Sequence, residues 1–260
     1  MGQQMSGGAK RPDLSIAISC FNEEECLPLT VPALASALAE GGIDYELVLV
    51  DNGSLDRTGQ IIDELAASGL PIVKGVVPEN RGLGLGFRTG FSLARGRFVA
   101  TQCADGQVAP ADVIRVYAAL RQQPGAAIAK VRRRFRQDSW LRKIVSVTYN
   151  AMMHLLFPGI KALDVNGNPK AMSRETLQLL DLSSDDWFLD AEILLKARHL
   201  RLPVIELDVP GFAREAGGSS VVPATVLEFL GNIASYRLGG PWRDWKRRTR
   251  PLRPLTDGGR

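Results

Sequence analysis

The chain has 260 residues, of which 45% are apolar and 23% are charged, so it is not a wholly disordered protein and suits one domain, or one domain with an appendage. The formal net charge is +4, but residues 237–260 hold eight basic and two acidic residues, which leaves the rest of the chain close to neutral. Three cysteines without a CxxC pair argue against a disulfide framework or a zinc site, and favour a reducing compartment.

Neither a signal peptide nor a membrane span is predicted. Residues 1–10 are polar and Gly-rich, without an apolar core, and no uncharged apolar run reaches the roughly 18 residues that span a bilayer. We therefore expect a cytoplasmic protein.

Short β-branched runs alternate with helical patterns through the first half of the chain. Predicted strands cover residues 14–20, 45–50, 71–77, 97–102 and 126–131, and predicted helices cover residues 25–40, 58–67, 83–94 and 111–122. Because this alternation builds βαβ units, it predicts an α/β fold: a Rossmann-like, mostly parallel sheet with helices on both faces.

The second half begins with a long apolar helical stretch at residues 141–157, which has basic residues before it and at its start. It is predicted either as an interfacial helix beside anionic headgroups or as a core helix, and both remain open. The remaining predicted elements are a strand at 164–172, a helix at 187–200, a strand at 204–209 and a helix at 225–236.

The C-terminal tail is basic and contains Trp242 and Trp245 among its cations. Tryptophan flanked by cations fits the headgroup region of an anionic membrane surface, and a solvated tail is the alternative. We predict three parts: a flexible N-terminus over residues 1–12, a catalytic domain over 13–222, and a C-terminal helix and basic tail over 223–260, an amphipathic appendage.

Polar and acidic residues gather after three of the predicted strands, at residues 21–24, 51–58 and 103–107. In open parallel sheets ligands bind at the carboxyl ends of the strands. Asp51 stands where a carboxylate can accept hydrogen bonds from a ribose or a base. The alternative for each loop is a turn or helix cap without a ligand.

Four segments resemble family 2 glycosyltransferases, and most closely the dolichyl- or polyprenyl-phosphate sugar transferases. They are Phe21-Asn22-Glu23-Glu24, Asp51-Asn52-Gly53-Ser54-Leu55-Asp56-Arg57-Thr58, Asn80-Arg81-Gly82-Leu83-Gly84 and Ala94-Arg95-Gly96-Arg97-Phe98-Val99. The resemblance covers roughly residues 13–220. It implies a GT-A domain that moves a sugar from a UDP- or GDP-sugar to a polyprenyl phosphate with inversion, at the inner face of a membrane. No nucleic-acid partner is expected.

By this resemblance the nucleotide binds at the loops after the first two strands and at neighbouring residues. Asn52 stands where the family usually has a second acidic residue, and an amide still offers an acceptor and adds donors. The implied nucleotide-binding residues are Phe21, Asn22, Glu23, Asp51, Asn52, Arg81 and Asp105.

The resemblance also implies a site for Mg²⁺ or Mn²⁺, where the family usually reads Asp-x-Asp-x-Gln. Here Cys103 takes the first position, and Asp105 and Gln107 remain as predicted metal ligands. A thiol is a poor ligand for a hard cation. Three interpretations stay open: Asp105, Gln107 and the diphosphate suffice for the metal, arginines replace it, or the site is weakened.

The remaining implied residues serve the diphosphate and the acceptor. Arginine binds phosphate bidentately, which suits the run Arg132-Arg133-Arg134 and the segment that begins at Arg214. Asp190 is the candidate base, although a lipid phosphate is already ionised and needs none; a helix-terminal acid without catalytic role is the alternative. The predicted roles are catalytic for Asp190, Arg132 and Arg214, and contact with the acceptor or diphosphate for Arg134, Ser219 and Ser220.

Rival functions are weaker on sequence grounds. Gly82-Leu83-Gly84-Leu85-Gly86 lacks the spacing of a dinucleotide-binding fingerprint and follows the third strand, which disfavours an oxidoreductase. Two alternatives stay open: an enzyme with a soluble acceptor, and a degenerate module that binds nucleotide-sugar or lipid without turnover.

Overall fold

A computed structural model describes residues 11–123, 125–134, 140–210, 231–233, 235–236 and 239–249. Within them lies a seven-stranded sheet of order β3-β2-β1-β4-β6-β5-β7. Its strands are β1 Leu14–Cys20, β2 Tyr45–Asn52, β3 Ile72–Val77, β4 Phe98–Cys103, β5 Ile128–Arg134, β6 Lys170–Ser173 and β7 Val204–Pro210. Only β6 runs antiparallel to its neighbours, so the predicted mostly parallel α/β sheet is confirmed.

Helices connect the strands and cover both faces of the sheet. They are α1 Leu27–Glu40, α2 Thr58–Ala67, α3 Leu83–Leu93, α4 Pro110–Gln122, α5 Trp140–Leu156, α6 Arg174–Leu180, α7 Leu189–His199 and α8 Gly240–Thr249. None of these helices combines the length and the apolar character that crossing a lipid bilayer requires, within the part of the chain that the structure describes.

The two faces of the sheet carry separate cores. Leu14, Ile16 and Ile18 of β1 pack with α1, α2 and α4 on one face, while Ala17 packs with α3 and α7 on the other. All seven residues of β1 are buried. Burial on both sides explains why β1 reads as an apolar run rather than an alternating pattern.

Helix α5 has one buried and one exposed side. Tyr149, Met153 and Phe157 follow one another at a spacing of four and pack in a third core cluster with α7. On another side, Val147 is 68% exposed and Leu155 is 81% exposed. The predicted core helix is therefore correct for one side, and the other leaves apolar surface open to solvent.

The C-terminal segment is ordered against α7 where the structure describes it. Trp245 of α8 is only 2% exposed and stacks on Trp242, with 4.9 Å between ring centroids. The indole Nε1 of Trp245 donates to the carbonyl of Leu179, 3.3 Å away. The expectation that Trp245 lies among lipid headgroups is therefore wrong, because the side chain is used in the core.

Two predicted elements are corrected in the second half. The strand predicted at residues 164–172 is confined to Lys170–Ser173, since Pro169 has no N–H to donate and Gly167 lies tight against the carbonyl of Val131. Helix α6 follows β6 directly and was not predicted; the hydroxyl oxygen of Ser173 accepts from the N–H of Thr176 and caps it. The helix predicted at 225–236 lies mostly outside the described residues.

Candidate functional site

The loops after β1 and β2 are tied together by hydrogen bonds at the carboxyl edge of the sheet. Asn22 adopts a left-handed backbone conformation, with φ of 55°, which asparagine tolerates better than most residues. Its N–H donates to Ser54 Oγ at 3.1 Å, and its Oδ1 accepts from the N–H of Leu55 at 2.9 Å. The N–H of Glu23 donates to Thr58 Oγ1 at 2.8 Å. The two predicted nucleotide loops therefore form one unit.

Two of the acidic side chains in these loops are structural. Asp56 Oδ2 accepts from the N–H of Glu24, and Glu24 Oε2 accepts from the N–H of Arg57. Burial opposes ionisation of Asp56, but hydrogen bonds from Thr58 outweigh it and lower the pKa of that carboxyl. The turn-and-cap alternative thus accounts for Asp56, whereas Phe21 at the tip of the first loop is exposed.

Asp51 and Asn52 end β2 in different surroundings. Asp51 Oδ1 accepts from the N–H of Ser54 at 3.0 Å, and the carboxylate lies so close to Gly59 that a Cβ there would be 2.6 Å from Oδ2. Asn52 is 1% exposed, and its Nδ2 donates to the carbonyl of Gly82 at 3.0 Å. A carboxylate could not donate this bond, which gives a physical reason for an amide at this position.

Asn52 also connects the nucleotide loops to the start of α3. Its Oδ1 is buried and has no hydrogen-bond partner among the described residues, as is also true of Ser19 Oγ nearby. Both atoms lie under Gly86, where a Cβ would meet Ser19 and Asn52. Arg81, just before α3, is largely exposed, with Glu79 3.9 Å away.

The loop after β4 carries the predicted metal ligands. The N–H of Gln107 donates to Asp105 Oδ1 at 3.2 Å across Gly106, whose φ is 69°. Burial raises the pKa of the Cys103 thiol, and the nearby charges of Asp105 and Asp190 raise it further. These surroundings favour the neutral form of the thiol, which is a poor ligand for a hard cation.

The donor set at this loop suits a hard cation only in part. Asp105 and Gln107 offer a carboxylate and an amide oxygen, which are ligands that Mg²⁺ and Mn²⁺ accept. Within the described ranges, no group of three His, Cys, Asp or Glu side chains is placed to hold a metal ion. Two such ligands are too few for either cation, so a metal held here would need further ligands from a bound diphosphate and water.

Asp190 lies in the first turn of α7, buried beside β6. Lys170 Nζ is 2.6 Å from Asp190 Oδ1, and Asn168 Nδ2 donates to Asp190 Oδ2 at 3.1 Å. Asp190 is close enough to Cys103 to influence its ionisation. The structure thus brings the predicted base near the predicted metal loop.

The arginines that follow one another on β5 have different partners. Arg132 makes a bidentate pair with Asp208 of β7, at 2.5 and 2.7 Å, and is partly exposed. Arg133 pairs with Asp164 at 2.9 and 3.1 Å and interacts electrostatically with Cys103 and Asp190. Burial opposes ionisation of Asp164, but Arg133 outweighs it and lowers the pKa of that carboxyl.

Of the two β5 arginines whose side chains the structure describes, Arg133 is therefore the one that lies near Cys103 and Asp190. The predicted catalytic role of Arg132 stays a prediction, and a phosphate would have to bind to the guanidinium N–H groups that the pair with Asp208 does not use, or displace Asp208. The side chain of Arg134, and the residues Arg214, Ser219 and Ser220, lie outside what the structure describes.

Three residues around Asp190 were not predicted: Thr101, Asn168 and Lys170. All three are buried, and they join β4, the approach to β6 and α7. One sequence signal could have found them, namely a lysine inside the short strand Lys170–Ser173, where a buried cation requires an acidic partner.

The sequence matches one glycosyltransferase family model and several curated enzymes that act on polyprenyl or undecaprenyl phosphates by name. The model of "Glycosyl transferase family 2" matches residues 15–178. An undecaprenyl-phosphate 4-deoxy-4-formamido-L-arabinose transferase from Aeromonas hydrophila is 30% identical over 217 residues, which cover 80% of this chain and 62% of that protein. The enzyme of the same name from Proteus mirabilis is 34% identical over 150 residues, covering 57% of this chain and 45% of that protein. This chain therefore spans only about half to three-fifths of these two relatives.

A third relative matches over most of both chains. Polyprenol monophosphomannose synthase from Mycolicibacterium smegmatis is 29% identical over 242 residues, covering 86% of this chain and 87% of that protein. Among solved structures, glucosyl-3-phosphoglycerate synthase from Mycobacterium tuberculosis in complex with UDP superposes with a TM-score of 0.67 at 20% identity, covering 86% of this chain and 79% of that chain. At that identity the superposition supports the fold and nothing finer.

Proposed function

Because the chain belongs to glycosyl transferase family 2, we propose that it transfers a sugar from a UDP- or GDP-sugar to a polyprenyl phosphate, with inversion at the anomeric carbon. The observation that carries the proposal is the match to polyprenol monophosphomannose synthase over 86% of this chain and 87% of that protein. The two interlocked loops after β1 and β2 and the loop of Asp105 support it, since they gather polar groups at one sheet edge.

In the proposed reaction an oxygen of the acceptor phosphate attacks the anomeric carbon. The bond from that carbon to the nucleoside diphosphate breaks on the opposite side, which inverts the configuration, and the diphosphate leaves with the bonding electrons. A phosphate oxygen is already ionised near neutral pH, so no proton has to be removed. Asp190 then orients the acceptor or the sugar, whereas with a hydroxyl acceptor it would take the proton.

The leaving diphosphate must be stabilised as its charge develops. Asp105 and Gln107, with the diphosphate itself, would hold Mg²⁺ or Mn²⁺, which neutralises that charge when bound. Arg133, close to Cys103, adds positive charge on the protein side. The nucleoside is proposed to lie on Phe21, Asn22, Glu23, Asp51 and Arg81, with the buried Asn52 holding the start of α3 behind them.

Calorimetric titration with UDP and GDP, each with Mn²⁺ and with EDTA, tests the donor site. We expect one nucleotide to bind with Mn²⁺ and to lose about tenfold or more in affinity in EDTA, because Asp105 and the diphosphate share the metal. Asp105→Asn should remove that difference, and Asp63→Asn, a change at an exposed carboxylate paired with Lys74, should keep it.

The other outcomes of this titration are equally informative. A nucleotide affinity that is unchanged in EDTA would indicate that arginines, rather than a metal ion, neutralise the diphosphate. Absence of binding by either nucleotide would contradict the proposed donor and favour a degenerate module.

We also propose that the protein works at an anionic membrane surface on the cytoplasmic side. The exposed Val147 and Leu155 lie eight residues apart on one side of α5, and Arg142 and Lys143 stand at its start in the sequence. An apolar helix side with cations at one end suits the boundary between headgroups and acyl chains.

Vesicle flotation tests this surface. Leu155→Glu should lower the fraction bound to anionic vesicles about fivefold, since an exposed leucine that would insert among the lipids is replaced by a charge that they repel. Leu29→Glu, at an exposed leucine of α1, is the matched control and should bind as the unmodified chain does. If the unmodified chain does not float with anionic vesicles, a soluble acceptor becomes the better proposal.

A further inference from the structure

We infer that Lys170 and Asn168 are positioning residues, which fix both carboxylate oxygens of Asp190 and tie them to the strand that leads into the Asp105 loop. The inference rests on the proposed function, because it gives Asp190 its importance at the acceptor. It goes beyond that function by assigning a role to two buried residues that the proposed reaction does not use.

Each carboxylate oxygen of Asp190 accepts from a buried donor. Lys170 Nζ lies 2.6 Å from Oδ1, and Asn168 Nδ2 donates to Oδ2 at 3.1 Å. The side chain of Lys170 has no exposed surface and that of Asp190 is 7% exposed. With a buried donor on each oxygen, the carboxylate is held in one orientation.

The amide of Asn168 is itself oriented by a hydrogen bond from Thr101. Thr101 Oγ1 donates to Asn168 Oδ1 at 2.7 Å, and the N–H of Lys170 donates to Thr101 Oγ1 at 3.1 Å. Because the amide oxygen of Asn168 faces a donor, its nitrogen must face Asp190. The hydroxyl of Thr101 and, at 3.5 Å, Nζ of Lys170 thereby hold the amide oxygen of Asn168 away from the carboxylate.

This hydrogen-bond network is attached to strand β4. Thr101 pairs with Lys170 across the antiparallel β4–β6 ladder and stands two residues before Cys103. The network therefore joins α7 to the strand from which the Asp105 loop starts. A shift of either element changes the distance between Asp190 and that loop.

The energetics favour a positioning role over a stabilising one. A buried ion pair is weak support for stability, because desolvation of both charges offsets their attraction. Lys170 also lies close enough to Lys130 that the two charges oppose each other; burial and then this repulsion lower the pKa of Lys130 to about 8. Apolar side chains would fill this space without that cost, whereas they could not orient a carboxylate.

Helix α7 offers a matched control pair two residues further on. Glu192 and Lys196 are also buried, with 2.7 Å between Lys196 Nζ and Glu192 Oε1. Glu192 accepts from the N–H groups of Ser183 and Ser184, and Lys196 lies over the ring of Trp245. This pair has the same chemistry but braces a connecting loop and the C-terminal helix.

The test compares Lys170→Met with Lys196→Met in the full chain, with kcat counted per nucleotide-binding molecule. Both variants should lose thermal stability. Lys170→Met should also lower kcat about 10- to 100-fold with the donor KM within about twofold, because a misoriented group slows the reaction without weakening donor binding. Lys196→Met should keep kcat within about threefold.

A second variant covers the case in which Lys170→Met does not fold. Thr101→Val removes only the hydroxyl that orients Asn168 and leaves no charge unpaired, and it should lower kcat about fivefold to tenfold. Ser15→Ala, which removes a buried hydroxyl near the amino end of the neighbouring strand β1, is its control. Folded Lys170→Met or Thr101→Val with the kcat of the unmodified chain would overturn the inference alone. An unmodified chain that binds nucleotide but transfers no sugar would overturn the proposed function and the inference with it.

Discussion

Replacing Asp190 with asparagine is expected to lower kcat by about 100-fold or more, while the affinity for the donor nucleotide stays within about threefold of the unmodified chain. The side chain keeps its size, but the negative charge is lost, and one of the two donors, Lys170 or Asn168, meets an amide NH2 in place of an oxygen. Whether Asp190 takes a proton or orients the acceptor, it is the carboxylate that the reaction needs. Steady-state kinetics and nucleotide titration on the same preparation give both numbers.

Stability changes must be separated from this loss of activity. Asp190→Asn leaves the buried ammonium of Lys170 without its ionic partner, which costs about 3–5 kcal/mol in the free energy of unfolding. Glu192→Gln does the same to Lys196 on the same helix. We expect comparable destabilisation in the two variants and a kcat within about threefold of the unmodified chain in Glu192→Gln only. Equal kcat values in both variants would show that Asp190 is structural.

Much of the fold could be predicted because its signals are local. Strand β1 and helix α2 begin and end where the sequence predicts, since an apolar run buried on both faces and a periodic apolar pattern are readable within ten residues. Helix α6 was missed because it has only seven residues and its start depends on a single cap at Ser173. Strand β6 was placed too early because its extent depends on pairing with β4 and β5, which are distant in sequence.

The site was predictable in location but not in connectivity. The loops that follow parallel strands fall at one edge of the sheet, so residues 21–24, 51–58 and 103–107 could be grouped from the sequence alone. The partners of the charged residues could not, because Arg132 meets Asp208 and Arg133 meets Asp164 across long separations. Strand register decides which arginine of a consecutive run points toward Cys103 and Asp190. A shift of one residue would exchange the two faces of the strand.

Replacing Gly84 with alanine is expected to lower the free energy of unfolding by about 3 kcal/mol. A Cβ at this position would lie 2.6 Å from the carbonyl oxygens of both Ser184 and Asp186. These are backbone atoms, and the N–H of Leu85 donates to the carbonyl of Asp185 between them, so α3 and this loop are locked together. The gain of about 1 kcal/mol that alanine brings to a helix interior is smaller than this cost.

Contacts on two sides hold the loop at residues 183–186 and limit how far it can move away from a Cβ at position 84. Glu192 accepts from the N–H groups of Ser183 and Ser184, and Arg88 pairs with Asp185, so the loop is fixed from α7 and from α3. The start of α3 must give way instead, and it carries the Gly82 carbonyl that anchors Asn52. We therefore expect Gly84→Ala to weaken nucleotide binding as well as stability.

Denaturant unfolding and nucleotide titration check this prediction together. Gly231→Ala is the control, because no described residue lies within 4 Å of a Cβ added to that helical glycine, and it should be neutral or stabilising by up to about 1 kcal/mol. Unchanged stability in Gly84→Ala would mean that the loop at residues 183–186 yields easily. In that case Glu192 and Arg88 do not hold it, and the connection from α7 through this loop to Asn52 is too weak to influence the nucleotide site.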